Sequence, residues 1–396
     1  MADPRLLYLA SSFPYGRNDG FFAPEFRELV RQGVDVLAVP IRPRGRLTTT
    51  DAEPRAQRKR LLDAEIAWAA LTETVRAPLA VGRALLLLLH EPRPQVLLRN
   101  LAAFPKALWI ARIARTWPAS HIHAHWAGPP ATAALVASRL SGVPWSFTAH
   151  FADIAANNLL CEKSESATFV RFIATAMMEL AGRTAPDCDQ STWHLLHLGV
   201  DVPPRRVPLA SLNRPPVLLM AARFDPEKRH ETLVEATHEL VGQGFELEVW
   251  LAGAGALEAT VAQHVRARDL EHCVRFLGFV PNRQVLEWLA SGRVDLVVLP
   301  SDAEGIPVSL IEALAHSVPV VGCDAGGVTE LLGDGCGEIV PPRDPHALAE
   351  AIARVLRSPE LRARRARAGR ERIEAEFAIE PIVRRLRVLL DLADAK

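Results

Sequence analysis

Lysine is scarce in this 396-residue chain, and no apolar run is long enough to cross a membrane. The 46 basic residues include only five lysines, and 46 acidic residues balance them, so no net charge argues for nucleic acid. The longest apolar run, at 84–89, is far shorter than the roughly 20 residues that a bilayer requires. We therefore expect no transmembrane helix and no nucleic-acid partner.

The cysteines and the first residues bear on the compartment. The five cysteines are scattered, odd in number and form no Cys-x-x-Cys pair, which favours reduced thiols in the cytosol. The first residues run directly into a strand pattern without the basic and apolar regions of a secretory signal, so we expect none. We predict a cytoplasmic protein and leave open a peripheral contact with the inner face of the cell membrane. The Arg-rich run at 362–372 favours a solvated helix face over a membrane patch.

Strand and helix patterns divide the chain into two α/β halves. Apolar strands at 6–10 and 34–39 flank a helical pattern at 23–32, which is typical of a doubly wound domain. Five prolines at 199–216 indicate an extended linker, after which a new strand pattern begins. The predicted boundaries are 1–200 for the N-terminal domain, 201–216 for the linker, 217–378 for the C-terminal domain and 379–396 for a final helix.

Three histidines alternate near the middle of the first half. His121, His123 and His125 would share one face of a strand, and three imidazoles can bind zinc. No nearby carboxylate or cysteine completes such a set, so we expect no metal. His150 follows the next predicted strand and would lie at the carboxyl edge of the sheet. Gly20, where the first loop meets a helix, is either a phosphate contact or an ordinary turn glycine.

The most informative stretch of the second half is 300–315. A β-branched apolar strand at 294–299 leads into a polar loop that carries Glu304, and a helical pattern starting near Pro307 carries Glu312. Ligands bind at the carboxyl edge of open α/β sheets, and a helix amino terminus favours an anion. These residues therefore suit a ligand with both phosphates and hydroxyls, such as a sugar nucleotide.

A basic pair follows the first strand of the second half. Arg223 leaves the predicted strand at 217–222, and Lys228 precedes a predicted helix at 231–241. Arginine as a planar fork and lysine as a mobile point charge could reach one diphosphate. A lysine is notable in a chain that otherwise uses arginine.

These motifs resemble those of retaining family 4 glycosyltransferases, in particular bacterial enzymes of exopolysaccharide and colanic-acid type. Glu304 and Glu312 flank a Gly-x-Pro turn with the family's spacing, and Arg223 and Lys228 match its Arg-x4-Lys block. His150 begins a His-x-x-Asp-Ile block. The resemblance is strong over 195–375, clear over 121–154 and loose over 40–115, where the residues that face the acceptor are expected.

The resemblance implies the GT-B architecture: two Rossmann-like doubly wound α/β domains facing a central cleft, with the final helix returning to the first domain. It implies transfer of a sugar, with retention, from a nucleotide-diphosphate sugar to a hydroxyl of a saccharide or lipid-linked acceptor, without metal or other cofactor. Catalytic roles are expected for His150, Arg223, Lys228 and Glu304. Donor-binding positions are expected at Gly20, Arg223, Lys228, Val280, Glu304, Gly305, Ile306, Pro307, Val308, Ser309 and Glu312.

Four other functions remain open. A sugar-nucleotide epimerase or a glycogen-phosphorylase-like enzyme could share the architecture, but the first would need further acids around the sugar and the second a lysine that holds pyridoxal phosphate. A non-catalytic nucleotide-sugar-binding partner could lose Lys228 or His150, and this chain has both. Glu304 and Glu312 could instead be the carboxylate pair of a glycosidase.

Overall fold

The computed structural model describes residues 4–16, 20–45, 47, 55–203, 212 and 214–391. They fall into two compact units, one within Met1–Gly199 together with Ile379–Lys396 and the other within Val200–Ala378. The predicted linker at 201–216 lies partly outside the described residues.

The N-terminal unit is built on six parallel strands in the order β2-β1-β3-β4-β5-β6. These strands are β1 (Arg5–Ala10), β2 (Asp35–Pro40), β3 (His121–His125), β4 (Trp145–Ala149), β5 (Val170–Phe172) and β6 (Trp193–Leu195). The central strands are buried on both faces, as expected for a parallel sheet covered by helices. The helices are α1 (Ala23–Arg31), α2 (Ala64–Arg76), α3 (Pro78–Leu88), α4 (Pro94–Thr116), α5 (Pro129–Ser141), α6 (Phe151–Ala156), α7 (Leu160–Ser166) and α8 (Thr175–Thr184).

The C-terminal unit repeats this plan with six parallel strands in the order β12-β11-β10-β7-β8-β9. Its strands are β7 (Val217–Ala221), β8 (Glu248–Ala252), β9 (Val274–Gly278), β10 (Leu296–Leu299), β11 (Val320–Cys323) and β12 (Glu338–Val340). Its helices are α9 (His230–Gly242), α10 (Glu258–Ala267), α11 (Asn282–Ala290), α12 (Val308–Ala315), α13 (Val328–Leu332), α14 (Pro345–Arg357) and α15 (Pro359–Arg372). The sequence-based fold class, two doubly wound α/β domains, is confirmed.

The last helix, α16 (Ile379–Leu389), belongs to the N-terminal unit. Its buried residues Ile382, Val383 and Leu386 lie four or fewer positions apart and form one apolar face. That face joins the core cluster that contains Leu6 and Phe26. Burial of these side chains is what attaches the end of the chain to this unit.

Each sheet has one point at which the strand order reverses. In the N-terminal unit that point lies between β1 and β3, and in the C-terminal unit between β7 and β10. The loops that leave two such strands diverge to opposite faces of the sheet, which opens a crevice at the carboxyl edge where ligands bind. The segments at these two crevices are 222–229 and 300–307 in the C-terminal unit and the residues after β1 and β3 in the N-terminal unit.

The Arg-rich run at 362–372 is only in part the solvated helix face that the sequence favours, since Arg364 and Arg367 are exposed but Arg370 is not. Arg370 is buried and donates to the carbonyl oxygens of Ala315 and Pro203. Arg365 binds Glu338 at 2.6 Å. These arginines hold α15 to its own unit because they satisfy carbonyl and carboxylate oxygens there. None of the described helices has the length and apolar character needed to span a bilayer.

Candidate functional site

The reversal point of the C-terminal sheet brings together the two loops that carry Lys228 and Glu304. The Asp302 N–H donates to the Glu227 carbonyl at 3.0 Å, so the backbones of the two loops are joined directly. Lys228 Nζ donates to Glu304 Oε1 at 2.7 Å, and both side chains are largely buried. Two charges removed from water attract each other strongly but lose hydration, so such a pair is weak evidence for stability.

A second set of ionic contacts joins the same two loops and adds the segment after β12. Arg229 and Arg343 both donate to Asp302 Oδ2, at 2.6 and 2.7 Å. Burial would raise the pKa of Asp302, but the hydrogen bonds from Arg343 and Arg229 outweigh it and hold that pKa below its usual range. Asp302 therefore remains a carboxylate and holds the two loops in register.

The loop after β11 fixes the backbone of Glu304 and Gly305. Gly326 has a φ of +54°, and a Cβ built there would lie 1.8 Å from the Glu304 carbonyl oxygen. The Gly327 N–H donates to the Gly305 carbonyl at 2.9 Å. Only glycine permits the first of these approaches, because any side chain at 326 would push Glu304 out of place.

The remaining residues of the acidic motif form the amino terminus of α12. Pro307 precedes the helix without a side-chain cap, and its carbonyl accepts the N–H groups of Leu310 and Ile311. The amides of Val308 and Ser309 lie in the first turn, where no helical carbonyl is in position to accept them. Aligned amides at a helix start attract an anion. Ile306 and Pro307 are buried, and they anchor this turn in the core.

Glu312 lies further along α12 and has a partner that the sequence did not indicate. Asn282, the first residue of α11, donates from Nδ2 to Glu312 Oε1 at 2.8 Å. Burial raises the pKa of Glu312 to about 7. The hydrogen bond from Asn282 lowers this pKa by less than burial raises it, and the negative charge of Asp201 raises it slightly further. Val280 lies two residues before Asn282, so this hydrogen bond brings the Val280 segment towards Glu312.

Arg223 follows β7 as predicted but is mostly exposed. Its guanidinium lies 2.8 Å from Asp225 Oδ2 and 3.8 Å from Glu227 Oε1. These partners belong to its own loop, and an exposed pair of this kind contributes little to stability. Arg223 is therefore near Lys228 in the chain but is bound to different carboxylates.

Two buried polar atoms at this edge have no hydrogen-bond partner among the described residues: His230 Nε2 and Ser301 Oγ. His230 opens α9 and stacks on Phe224 with ring centroids 4.1 Å apart, and Ser301 directly follows β10. Burial, with a smaller effect of Lys228, lowers the pKa of His230 to about 4. Unpaired buried polar atoms are uncommon in folded proteins, and these two lie beside the loops described above.

In the N-terminal unit, His150 directly follows β4 and is surrounded by aromatic rings. The Trp126 ring centroid lies 4.3 Å from it, and Phe21 approaches edge-on at 5.8 Å. Gly20 opens the short 3-10 turn that contains Phe21, so the predicted Gly20 position is next to the His150 environment. Burial lowers the pKa of His150 to about 3, and the positive charge of Arg171 adds to this effect.

Trp126 holds an unusual backbone conformation beside His150. Its φ is +113°, and its buried indole N–H has no partner among the described residues. The next residue, Ala127, is held on both sides: its N–H donates to Asp153 Oδ2 at 3.0 Å and its carbonyl accepts from Lys163 Nζ at 2.7 Å. Strained backbone that the surroundings enforce in this way is characteristic of functional sites.

The three alternating histidines are buried in β3 and bonded within the fold. His121 and His123 share the Ser146 hydroxyl, each at 2.8 Å, and His123 also contacts Thr148 Oγ1 at 3.0 Å. His125 contacts Tyr8 and His150 instead. Within the described ranges, no group of three or more His, Cys, Asp or Glu side chains is arranged to hold a metal ion.

Part of the C-terminal unit is similar to a known protein family. Residues 203–372 match the family model "Glycosyl transferases group 1". The match covers less than half of the chain. Curated relatives include the amylovoran biosynthesis glycosyltransferase AmsK of Erwinia amylovora, 32% identical over 188 residues that make up 46% of each chain. The putative teichuronic acid biosynthesis glycosyltransferase TuaC of Bacillus subtilis is 30% identical over 249 residues, 59% of this chain and 60% of the relative.

The matched stretch spans about half the length of these curated relatives. Solved structures match over nearly the whole chain. A glycosyltransferase from Rickettsia africae has a TM-score of 0.71 at 15% identity and covers 100% of both chains. HepE of Anabaena, in complex with UDP and glucose, has a TM-score of 0.72 at 16% identity and covers 98% of this chain and 99% of its own. At such identities the likeness shows the fold, which is GT-B.

The raised pKa of Glu312 generates a prediction on stability. The carboxyl binds a proton below about pH 7 when folded but only below about 4.5 when unfolded. Over that window the folded chain holds more protons, so Glu312 makes the free energy of unfolding fall as pH rises from 4.5 to 7. Glu312→Gln should remove this slope. The exposed carboxyl of Glu246 is the control, since the free energy of unfolding of Glu246→Gln should change with pH as that of wild type does. If the free energy of unfolding changed with pH in the same way in wild type, Glu312→Gln and Glu246→Gln, the raised pKa of Glu312 would be refuted.

Proposed function

We propose that the chain is a retaining glycosyltransferase of family 4 type, which moves a sugar from a nucleotide-diphosphate sugar to a hydroxyl of a saccharide or lipid-linked acceptor. The observation that carries this proposal is the Lys228–Glu304 pair beside the amino terminus of α12, at the strand-order reversal of a group 1 glycosyltransferase segment. The named relatives and the UDP complex of a structural neighbour favour a role in bacterial polysaccharide or glycolipid assembly.

The diphosphate is proposed to bind where positive charge is concentrated. Lys228 carries three N–H donors, and Glu304 engages one of them, which leaves donors for phosphate oxygens. The first amides of α12 add dipoles that need no rearrangement. These fixed donors would stabilise the charge that develops on the leaving diphosphate. Arg223 would add to this stabilisation once its guanidinium leaves its carboxylate partners and binds a phosphate.

The sugar nucleotide's hydroxyls are assigned to the carboxylates. Glu312 accepts from the ribose, and the Asn282 amide fixes its orientation. Lys228 occupies one oxygen of Glu304, and the carboxylate has a second oxygen for a hydroxyl of the donor sugar. His150 is proposed to face the sugar near the reacting carbon. No metal takes part in this proposal, and the leaving phosphate accepts the acceptor's proton.

A peripheral membrane contact is favoured by exposed apolar residues on α2 and α3. Trp68, Leu71 and Val75 share one face of α2, and Leu79 and Leu86 share one face of α3. Val75 and Leu79 are 75% and 77% exposed. The exposed Arg83 between Leu79 and Leu86 adds a positive charge suited to anionic lipid.

Vesicle sedimentation tests the membrane contact. The full chain should sediment with phosphatidylglycerol-containing vesicles, and Leu79→Ser should weaken this because it removes apolar area from the face. Val388→Ser, at an exposed apolar position on α16, is the matched control and should bind as wild type does. Equal binding by both variants would contradict the role of the α2–α3 face.

Replacement of Lys228 tests the catalytic assignment. Lys228→Ala should lower kcat by about 100-fold or more with saturating donor, as expected when one donor to developing charge is lost. Arg266→Ala removes an exposed cation on α10 of the same unit and should leave kcat unchanged. An unaltered kcat in Lys228→Ala would remove this residue from the mechanism; a wild-type chain that binds sugar nucleotide without turnover would indicate the non-catalytic partner.

Replacement of Glu312 separates this proposal from a glycosidase. Losing a charge-assisted hydrogen bond to ribose costs about 1.5–3 kcal/mol, roughly a 10- to 150-fold weakening. Calorimetric titration of nucleoside diphosphate at pH 8, where Glu312 is ionised, should show that loss for Glu312→Gln and none for Glu246→Gln. Equal affinities alongside an inactive Glu312→Gln enzyme would favour the carboxylate-pair chemistry instead.

A further inference from the structure

A continuous chain of buried polar side chains ends at His150. Arg171 on β5 donates to Glu25 on α1, and Tyr8 on β1 lies 2.9 Å from the other Glu25 oxygen. Tyr8 Oη also lies 2.7 Å from His125 Nδ1, and His125 Nε2 lies 3.0 Å from His150 Nε2. Each of the five residues is at most 8% exposed. Buried polar groups joined in this way constrain one another's protons.

The Arg171–Glu25 ion pair, at one end of this series of side chains, determines which group donates in each of its hydrogen bonds. Arg171 donates to Glu25 and also to the carbonyl oxygens of Leu196 and His197, so its guanidinium is held in place as a cation. The paired Glu25 is therefore a carboxylate, which only accepts. The single hydroxyl hydrogen of Tyr8 then points to Glu25. Tyr8 can only accept from His125, and the Nδ1 of His125 carries the hydrogen.

The hydrogen on His125 in turn determines which nitrogen of His150 carries a hydrogen. Burial lowers the pKa of His125 well below its usual value, and the positive charge of Arg171 adds to this effect, so the His125 ring is neutral. A neutral imidazole has one hydrogen, which leaves His125 Nε2 as an acceptor. His150 must therefore donate from Nε2, and its Nδ1 carries no hydrogen. In the described part of the chain, His125 is the only hydrogen-bond partner of the His150 ring.

We propose that Arg171, Glu25, Tyr8 and His125 fix His150 as the Nε2–H tautomer, so that its Nδ1 accepts a hydrogen bond from a sugar hydroxyl. This inference rests on the proposed function, in which His150 faces the sugar. The first four residues act through His150 and are positioning residues. A sugar lacking a hydroxyl at the contacted carbon would lose this hydrogen bond, whereas the opposite tautomer would favour a group that only accepts.

Ring stacking helps to hold the two histidines of this hydrogen-bonded series in place. Phe22 stacks on His125 with centroids 4.1 Å apart, and Trp126 packs on His150 at 4.3 Å. These contacts hold both imidazole planes, so the line between the two Nε2 atoms is fixed. By contrast, His121 and His123 form hydrogen bonds with hydroxyls of β4 and are not part of the hydrogen-bonded series from Arg171 to His150. Their shared partner Ser146 therefore offers a control of equal burial.

The test reads the tautomer directly in the full chain. Histidine-selective ¹⁵N labelling with long-range ¹H–¹⁵N correlation distinguishes Nδ1–H from Nε2–H, and the signals lost in His150→Gln assign His150 among the 13 histidines. Wild type should show His150 as Nε2–H throughout pH 6–8. An Nδ1–H form, or a mixture of both, in wild type overturns the inference whatever the activity.

A matched pair of variants tests the positioning role. Tyr8→Phe removes the acceptor for His125 Nδ1–H, so His125 should move its hydrogen to Nε2 and force His150 to Nδ1–H. Ser146→Ala removes one buried hydroxyl as well but should leave the His150 tautomer unchanged. Turnover should fall roughly tenfold or more in Tyr8→Phe, as when a catalytic histidine is held in the wrong tautomer, and stay within about twofold in Ser146→Ala.

The outcomes separate this inference from the proposed function. An unchanged His150 tautomer in Tyr8→Phe, or equal losses of turnover in both variants, overturns the positioning role. If Tyr8→Phe does not fold, the wild-type tautomer still decides the central claim. Failure of the proposed glycosyl transfer would be seen separately, as an absence of sugar transfer by the wild-type chain, while the His150 tautomer could still be read.

Discussion

The ion pair between Lys228 and Glu304 joins two loops that are 76 residues apart in the chain. It lies where the strand order of the C-terminal sheet reverses, and the contacts of Asp302 and Gly326 leave it little freedom to move. A buried pair of this kind gains little stability over apolar packing, since both ions lose hydration. Its value is the placement of one ammonium group, with donors to spare, beside the start of α12.

In the N-terminal unit, a buried ion pair also fixes a side chain at the edge of the sheet, but it does so through neutral side chains. There the charged residues Arg171 on β5 and Glu25 on α1 are buried, and Tyr8 and His125 connect them by hydrogen bonds to His150 at the edge of the sheet. In both units, a side chain at the carboxyl edge of a parallel sheet is held in one direction by hydrogen bonds to its neighbours. Electrostatic catalysis requires groups that are arranged before the substrate arrives.

The sequence predicted the local elements well because hydrophobic period and turn residues are local properties. The strands around β7 and β10, the loop position of Glu304 and the helix that carries Glu312 are all confirmed. It did not reveal which side chains meet across strands. Asn282 at Glu312 and Tyr8 at His125 depend on strand order and register, which a single sequence does not encode in any short pattern. The alternating histidines illustrate this limit: their common face was predictable, but their hydroxyl partners on β4 were not.

The central claim is that the reversal point of the C-terminal sheet binds a nucleoside diphosphate. A crystal structure of the full chain grown with UDP, or with GDP or ADP if these bind more tightly, tests it most directly. The account predicts phosphate oxygens within hydrogen-bond distance of Lys228 Nζ and of the first amides of α12, with ribose hydroxyls on Glu312. A nucleotide bound elsewhere, with Lys228 contacting Glu304 alone, would contradict it.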